Sequence, residues 1–254
     1  MQAKKSFGQH FLRDHSAIDK IVNALESTKQ DVIVEIGPGT GALTDRLVNL
    51  DYKELVLVEA DTDLIADLQE RFPKARIISG DAAMVDFDAL TGGKPWIAVG
   101  NLPYNAGNAI VMKILTSAKP PKRLVVMLQK EVGDRMMAKP GDMGILSVAT
   151  QLYADVKRIC LVKPGAFVPP PKVDSVVLSL VPKPFDGDRE AIIALAKIGF
   201  GNRRKQLQHN FVATKTFQPE ELKTIFSELK ISPSARAQEL SLEHWVGLQT
   251  RMLR

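Results

Sequence analysis

The chain has 254 residues, 45% apolar and 25% charged, which allows one large domain or a main domain with a small companion and excludes disorder throughout. Cys160 is the only cysteine, and His10, His15, His209 and His244 lack ligand spacing, so no internal disulfide and no metal site are expected. The net charge of +5 points to an anionic partner; with no membrane-length apolar segment and no apolar stretch behind Met1–Ser6, the expectation is a soluble, cytoplasmic protein.

In chain order, residues 14–27 read as a leading helix capped by Asp14. From Asp31 to about Lys130, short apolar runs alternate with amphipathic stretches. Strands are predicted at 32–36, 55–58, 76–78, 96–99 and 124–128, and helices at 43–50, 63–71 and 109–117. Val and Ile crowd the strands without alternation, as happens where helices cover both faces of a sheet. This is the pattern of a doubly wound, Rossmann-like α/β domain. Two more β-like runs, 156–162 and 175–181, bracket a proline-rich segment. Residues 182–188, with two prolines, a glycine and acids, form a linker. Beyond it the periodicity is helical at 189–198, 203–211, 219–230 and 242–252, with Pro219 in a first-turn position. The expected division is therefore a domain at 1–183 and a small all-helical domain at 184–254.

Two motifs carry chemistry. Asn101-Leu102-Pro103-Tyr104 leaves the fourth strand with a carboxamide, a rigid turn and an aromatic ring. Asn and Pro also favour turns for local reasons, so position must decide. The Asn101 oxygen and a backbone carbonyl of the turn suit the two N–H groups of an adenine amine, and Tyr104 suits stacking on the base. Glu35-Ile36-Gly37-Pro38-Gly39-Thr40-Gly41 follows the first strand and lets backbone approach a ligand. Its spacing is not the dinucleotide fingerprint. Glu59 ends the second strand, where a carboxylate binds ribose hydroxyls, and Asp81 follows the third, where an acid accepts from an adenine amine. Either acid alone reads better as a helix cap or a solvated loop charge. Three such features at consecutive strand ends fit a nucleoside lying across the carboxyl edge of the sheet.

The glycine loop with Glu59 and Asp81 resembles the S-adenosylmethionine-dependent methyltransferases. With Asn101-Leu102-Pro103-Tyr104, the sequence resembles the ribosomal RNA adenine N6-dimethyltransferase family. Agreement extends to Lys5–Leu12, Leu128–Val132, Phe167–Ser175 and Phe200–Lys205, nearly the whole chain. The resemblance implies S-adenosylmethionine bound by His10, Leu12, Gly37, Gly39, Glu59, Asp81 and Asn101, without a metal. His10 stands where the family often has Asn. Asn101, Leu102 and Tyr104 would hold the target adenine, with Phe167 closing on its other face. The implied reaction is in-line methyl transfer to N6, twice per base, with the proton lost to water rather than to a dedicated base.

The implied substrate is a pair of adjacent adenosines in a hairpin loop near the 3′ end of 16S rRNA, in an immature small subunit, met by a monomer. Lys4, Lys5, Lys172, Arg203, Arg204 and Lys205 are candidate phosphate contacts. Arg203–Lys205 also reads as a solvated helix face. The alternatives are a large-subunit rRNA adenine methyltransferase and an assembly factor in which catalysis is secondary; a DNA adenine methyltransferase fits least, since no sequence-reading module is present.

Overall fold

The computed structural model describes residues 9–252. In chain order the elements are β1 (Phe11–Leu12), α1 (His15–Asn23), β2 (Val32–Ile36), α2 (Thr44–Leu47), β3 (Glu54–Glu59), α3 (Thr62–Arg71), β4 (Arg76–Ser79), α4 (Phe87–Thr91), β5 (Trp96–Asn101), α5 (Gly107–Leu115), β6 (Arg123–Gln129), α6 (Lys130–Met136), α7 (Ile145–Tyr153), β7 (Ala154–Val162), β8 (Phe167–Val168), β9 (Ser175–Pro182), α8 (Arg189–Gly199), α9 (Leu207–Val212), α10 (Pro219–Glu228) and α11 (Leu242–Met252). They fall into two compact units, residues 9–133 with 155–182 and residues 134–154 with 183–252.

The first unit is built on a seven-stranded sheet of order β4-β3-β2-β5-β6-β9-β7. The strands from β4 to β6 run parallel, and β9 lies antiparallel to β6. All five residues of β2 are buried, as are the centres of β5 and β6, which accounts for their unbroken apolar sequence. The chain order reverses between β2 and β5, so connections leave the sheet in opposite directions there and a crevice opens at the carboxyl ends. Ile36 pairs with both Val58 and Gly100, so Gly37, Glu59 and Asn101 emerge side by side. Asp14 and Asp61 cap α1 and α3 by accepting from the amides of Ala17 and Asp63.

A separate two-stranded ladder joins distant segments. β1 pairs antiparallel with β8, with Phe11 opposite Val168 and Leu12 opposite Phe167. The amide of Arg13 extends the ladder by donating to the Ala166 carbonyl at 2.7 Å.

The second unit is helical, around a core that includes Met143, Leu152, Leu195, Phe211, Phe226 and Trp245. The structure draws its border differently from a single cut at 183/184, because residues 134–154 pack into this unit through α7. Helix α7 was not predicted. Six of its nine residues are buried. Gly144 supplies no capping side chain; its amide instead donates to Ser147 Oγ at 2.9 Å. The expected helix at 203–211 begins only at Leu207. Arg203, Arg204 and Lys205 form an exposed turn, because Asn202 takes the amide of Arg204 on its side chain and that of Lys205 on its carbonyl. They are therefore not a helix face.

One residue sets how closely β2 and β5 approach. A Cβ on Gly100 would overlap the Ile36 carbonyl oxygen, a backbone atom that cannot swing aside. Gly100→Ala is expected to destabilise the protein by about 1–3 kcal/mol. Equilibrium denaturation with urea measures this, and an unchanged midpoint would contradict the close approach.

Candidate active site

The carboxyl edge of the sheet opens into a cavity of about 890 Å³, its mouth included. The loops after β2, β3, β4 and β5 line it, and Gln9–Leu12 closes one side. The sequence therefore converges here from several separate segments.

The loop after β2 holds three glycines at positive φ, Gly37, Gly39 and Gly41. At Gly39 the need for glycine is double, since a Cβ would also press on the Phe11 ring at 3.0 Å. The Gly39 amide donates to Glu59 Oε2 at 3.0 Å, and the Asp61 amide donates to Glu59 Oε1 at 2.8 Å. Glu59 is buried, and two backbone donors fix its carboxylate at the cavity wall. Each of its oxygens keeps acceptor capacity for a ligand donor. Asp81 is exposed on the rim and accepts the Ala83 amide on Oδ1 at 2.8 Å. It therefore shapes its own turn while it lines the cavity.

Asn101 ends β5. Its Nδ2 donates to the His10 carbonyl at 2.8 Å. With the donor end committed, Oδ1 is left as the acceptor. Leu102 is buried in the core, with its amide on the Met127 carbonyl. Its own carbonyl accepts no hydrogen bond among the described residues. Two backbone-anchored acceptors thus sit one residue apart. The Tyr104 and Ser175 hydroxyls share a hydrogen bond of 2.7 Å, which fixes the ring. Burial pushes the Tyr104 phenol up, and the Ser175 contact opposes this.

His10 and Leu12 both line the cavity. His10 Nδ1 carries a proton, because its partner at 2.8 Å, the Pro169 carbonyl, only accepts. The His10 and Tyr104 rings lie 5.3 Å apart, tilted by 31°. Phe167, expected to close on the other face of the base, lies outside this cavity's lining. It is 2% exposed and packs with Leu12 and Val162 in the core. The cause is the ladder: pairing with Leu12 fixes β8 so that this ring enters the core, and exposed Val168 points the other way.

Among the candidate phosphate contacts, Lys172 is exposed in the first unit and Arg203, Arg204 and Lys205 are exposed in the second. Lys4 and Lys5 lie outside the described residues.

Sequence reading assigned no role to Glu35. Its side chain is 1% exposed at the cavity floor. Thr44 Oγ1 donates to Oε2 at 2.6 Å, and Oε1 has no partner among the described residues. Burial pushes its pKa up to about 8; the Thr44 hydrogen bond pulls it down, and Glu59 and Asp45 raise it further. A buried carboxyl with an orphan oxygen beside a cavity is a vacancy for a cation or a strong donor. The signal was there to see, since an acid inside a wholly buried apolar strand needs a reason. The cavity as a whole offers acceptors: Glu35, Glu59, Asp81, Asn101 Oδ1 and the Leu102 carbonyl. It suits a ligand rich in cations, hydroxyls and amino groups. Among the described residues, no three His, Cys, Asp or Glu side chains gather as a metal would require.

Comparison with known proteins agrees with this geometry. Relatives named ribosomal RNA small subunit methyltransferase A include those of Synechococcus elongatus, 39% identical over 98% of this chain and 95% of that protein. The protein of that name from Xanthomonas oryzae pv. oryzae is 43% identical over 97% and 95%, and that from Geobacter metallireducens 40% over 100% and 96%. A dimethyladenosine transferase from Plasmodium falciparum superposes with a TM-score of 0.81, at 26% identity over 94% of this chain and 96% of that one. The 23S rRNA methyltransferase ErmE shares the fold, with a TM-score of 0.78 at 22% identity over 96% and 100%. The sequence matches the model of the ribosomal RNA adenine dimethylase family over residues 1–252, and the chain belongs to that family.

Proposed function

We propose that this chain transfers methyl groups from S-adenosylmethionine to N6 of two adjacent adenosines in a hairpin loop near the 3′ end of 16S rRNA, in the immature small subunit. One observation carries the reading. The Asn101 carboxamide has its nitrogen tied to the His10 carbonyl, so its oxygen and the Leu102 carbonyl form an acceptor pair matched to an exocyclic amine. The names of relatives 39–43% identical favour the small subunit, whereas the likeness to ErmE is one of fold alone.

The donor set fits S-adenosylmethionine. Glu35 would take its ammonium, Glu59 its ribose hydroxyls and Asp81 its adenine amine. When bound, it supplies a methyl group on a cationic sulfur, already activated for displacement. The protein's own contribution is placement. Asn101 Oδ1 and the Leu102 carbonyl accept the two N–H bonds of the target amine, which withdraws the nitrogen lone pair from the ring and frees it to attack. Tyr104, pinned by Ser175, offers a stacking surface, and base unstacking is easiest from a hairpin loop. Holding both reactants in line supplies on the order of 7–11 kcal/mol. A singly methylated amine retains one N–H, so one acceptor suffices for the second transfer. Lys172, Arg203, Arg204 and Lys205 hold phosphates in this reading, with Lys4 and Lys5.

Incubation of 30S and 50S particles with the protein and methyl donor, followed by mass mapping, should show N6,N6-dimethyladenosine at adjacent positions on 30S alone. Methylation of 50S alone would overturn the reading. Asn101→Ala should lower the rate of transfer by about 10²–10³-fold.

Glu35 yields a test by pH. A bound cation favours the ionised carboxylate, so binding releases a proton below pH 8. The ratio of wild-type to Glu35→Gln affinity for S-adenosylmethionine should rise roughly tenfold per pH unit up to about 8 and level off above it. Taking the ratio cancels titration of the ligand's own amine. A ratio that is flat with pH, measured by equilibrium dialysis, would remove Glu35 from the cation site.

A further inference from the structure

A second cleft of the first unit, about 920 Å³ with its mouth, lies between α1, β7 and the turn before β8. Arg13, Lys20 and Lys163 border it, and Cys160 and the half-exposed Leu161 form part of its floor. Its one acid, Asp14, is engaged in capping Ala17. Lys163 pairs with Asp174 at 2.6 Å, but this pair is exposed and weakly held. Arg13 and Lys20 are exposed and have no ion pair among the described residues. Arg13, Lys20 and Lys163 thus face a single lining carboxylate, Asp14, and leave the cleft net positive over a partly apolar floor. The position is as telling as the charge. Gln9–Leu12 lines the candidate active site, and Arg13, the next residue along the chain, borders the cleft. The Arg13 amide on the Ala166 carbonyl fixes that step in place. The two cavities thus meet at consecutive residues, Leu12 and Arg13.

We propose that this cleft binds the phosphodiester backbone of the substrate RNA next to the target adenosines, with Arg13 and Lys20 as the phosphate contacts and Leu161 packing on a sugar or base. The proposal rests on the rRNA reading above. It adds a contact site distinct from Lys172 and from the Arg203–Lys205 turn.

Two measurements test it on the whole chain. The first is the salt dependence of binding to 16S rRNA. Each lost phosphate contact lowers the slope of log K against log salt by about 0.7–0.9, so Arg13→Gln/Lys20→Gln should flatten it by about 1.4–1.8. Affinity at low salt should drop roughly tenfold or more. S-adenosylmethionine affinity should not change, which shows that the variant is folded and β1 in place. The control, Lys29→Gln/Lys53→Gln, removes the same charge from the amino-terminal edge of the sheet, just before β2 and β3, and should keep the wild-type slope. The second measurement uses Cys160, the only cysteine, as a reporter within the cleft. Burial raises its thiol pKa, so alkylation is followed at mildly alkaline pH. Bound 16S rRNA should slow the alkylation severalfold, while S-adenosylmethionine or inorganic phosphate alone should not. Protection by inorganic phosphate alone would overturn the proposal in favour of a small-anion site. If the wild type methylates 30S but slope and alkylation stay unchanged, the cleft assignment fails and the rRNA reading stands. If the wild type neither binds nor methylates RNA, both fail.

Discussion

A carboxamide has a donor end and an acceptor end that differ by a half-turn, and the candidate active site depends on which end faces the cavity. At Asn101 the choice is made by the His10 carbonyl, 91 residues away in sequence. Rotated by a half-turn, the side chain would present N–H groups to a substrate amine that itself donates, and the site would repel its substrate. The His10 carbonyl stays in place because β1 is zipped to β8, and β8 is continuous with the sheet through β9. The two-residue ladder therefore has a role beyond its length. It joins the amino-terminal segment, the end of β5 and the proline-rich segment into one constellation. It also turns Phe167 into the core and brings the His10 ring against Tyr104.

The sheet was legible in the sequence because its central strands are buried on both faces. Continuous Val, Ile and Leu runs leave little freedom in where such strands lie, and the structure lengthens most of the predicted runs by a residue or two. The features at their carboxyl ends were legible for the same reason: once strand order reverses between β2 and β5, Gly37, Glu59, Asp81 and Asn101 converge on one crevice. What escaped was whatever depends on contacts distant in sequence. Helix α7 packs into the second unit's core and lacks a side-chain cap, so no boundary marked it. The turn at Arg203–Lys205 is held by Asn202, a local competitor that a helical reading of the charges overlooked. Phe167 carries a family role in sequence, but its strand pairing decides which way the ring points.

Glu35 shows how the charge of this protein is divided. The chain as a whole is basic, at +5, while the cavity gathers Glu35, Glu59 and Asp81. A basic exterior attracts a polyanion, while in the cavity Glu35 gains its charge only as a cation binds. The interior arrangement carries a cost. The folded protein raises the Glu35 carboxyl from its ordinary 4.5 to about 8, so the stability it contributes is complete below pH 4.5 and is lost as pH rises toward 8. At pH 7 the loss is on the order of 3 kcal/mol. Gln at this position would keep the Thr44 hydrogen bond without that loss. A carboxyl there is reasonable only if a ligand repays it, and a cation placed against the orphan oxygen does so directly. The same argument explains why Glu59, a neighbouring acid, is not a similar burden: two backbone amides solvate its carboxylate before any ligand arrives. One acid is satisfied by the fold and the other keeps an orphan oxygen, and that difference supports the assignment of the ligand's cationic end to Glu35 proposed above.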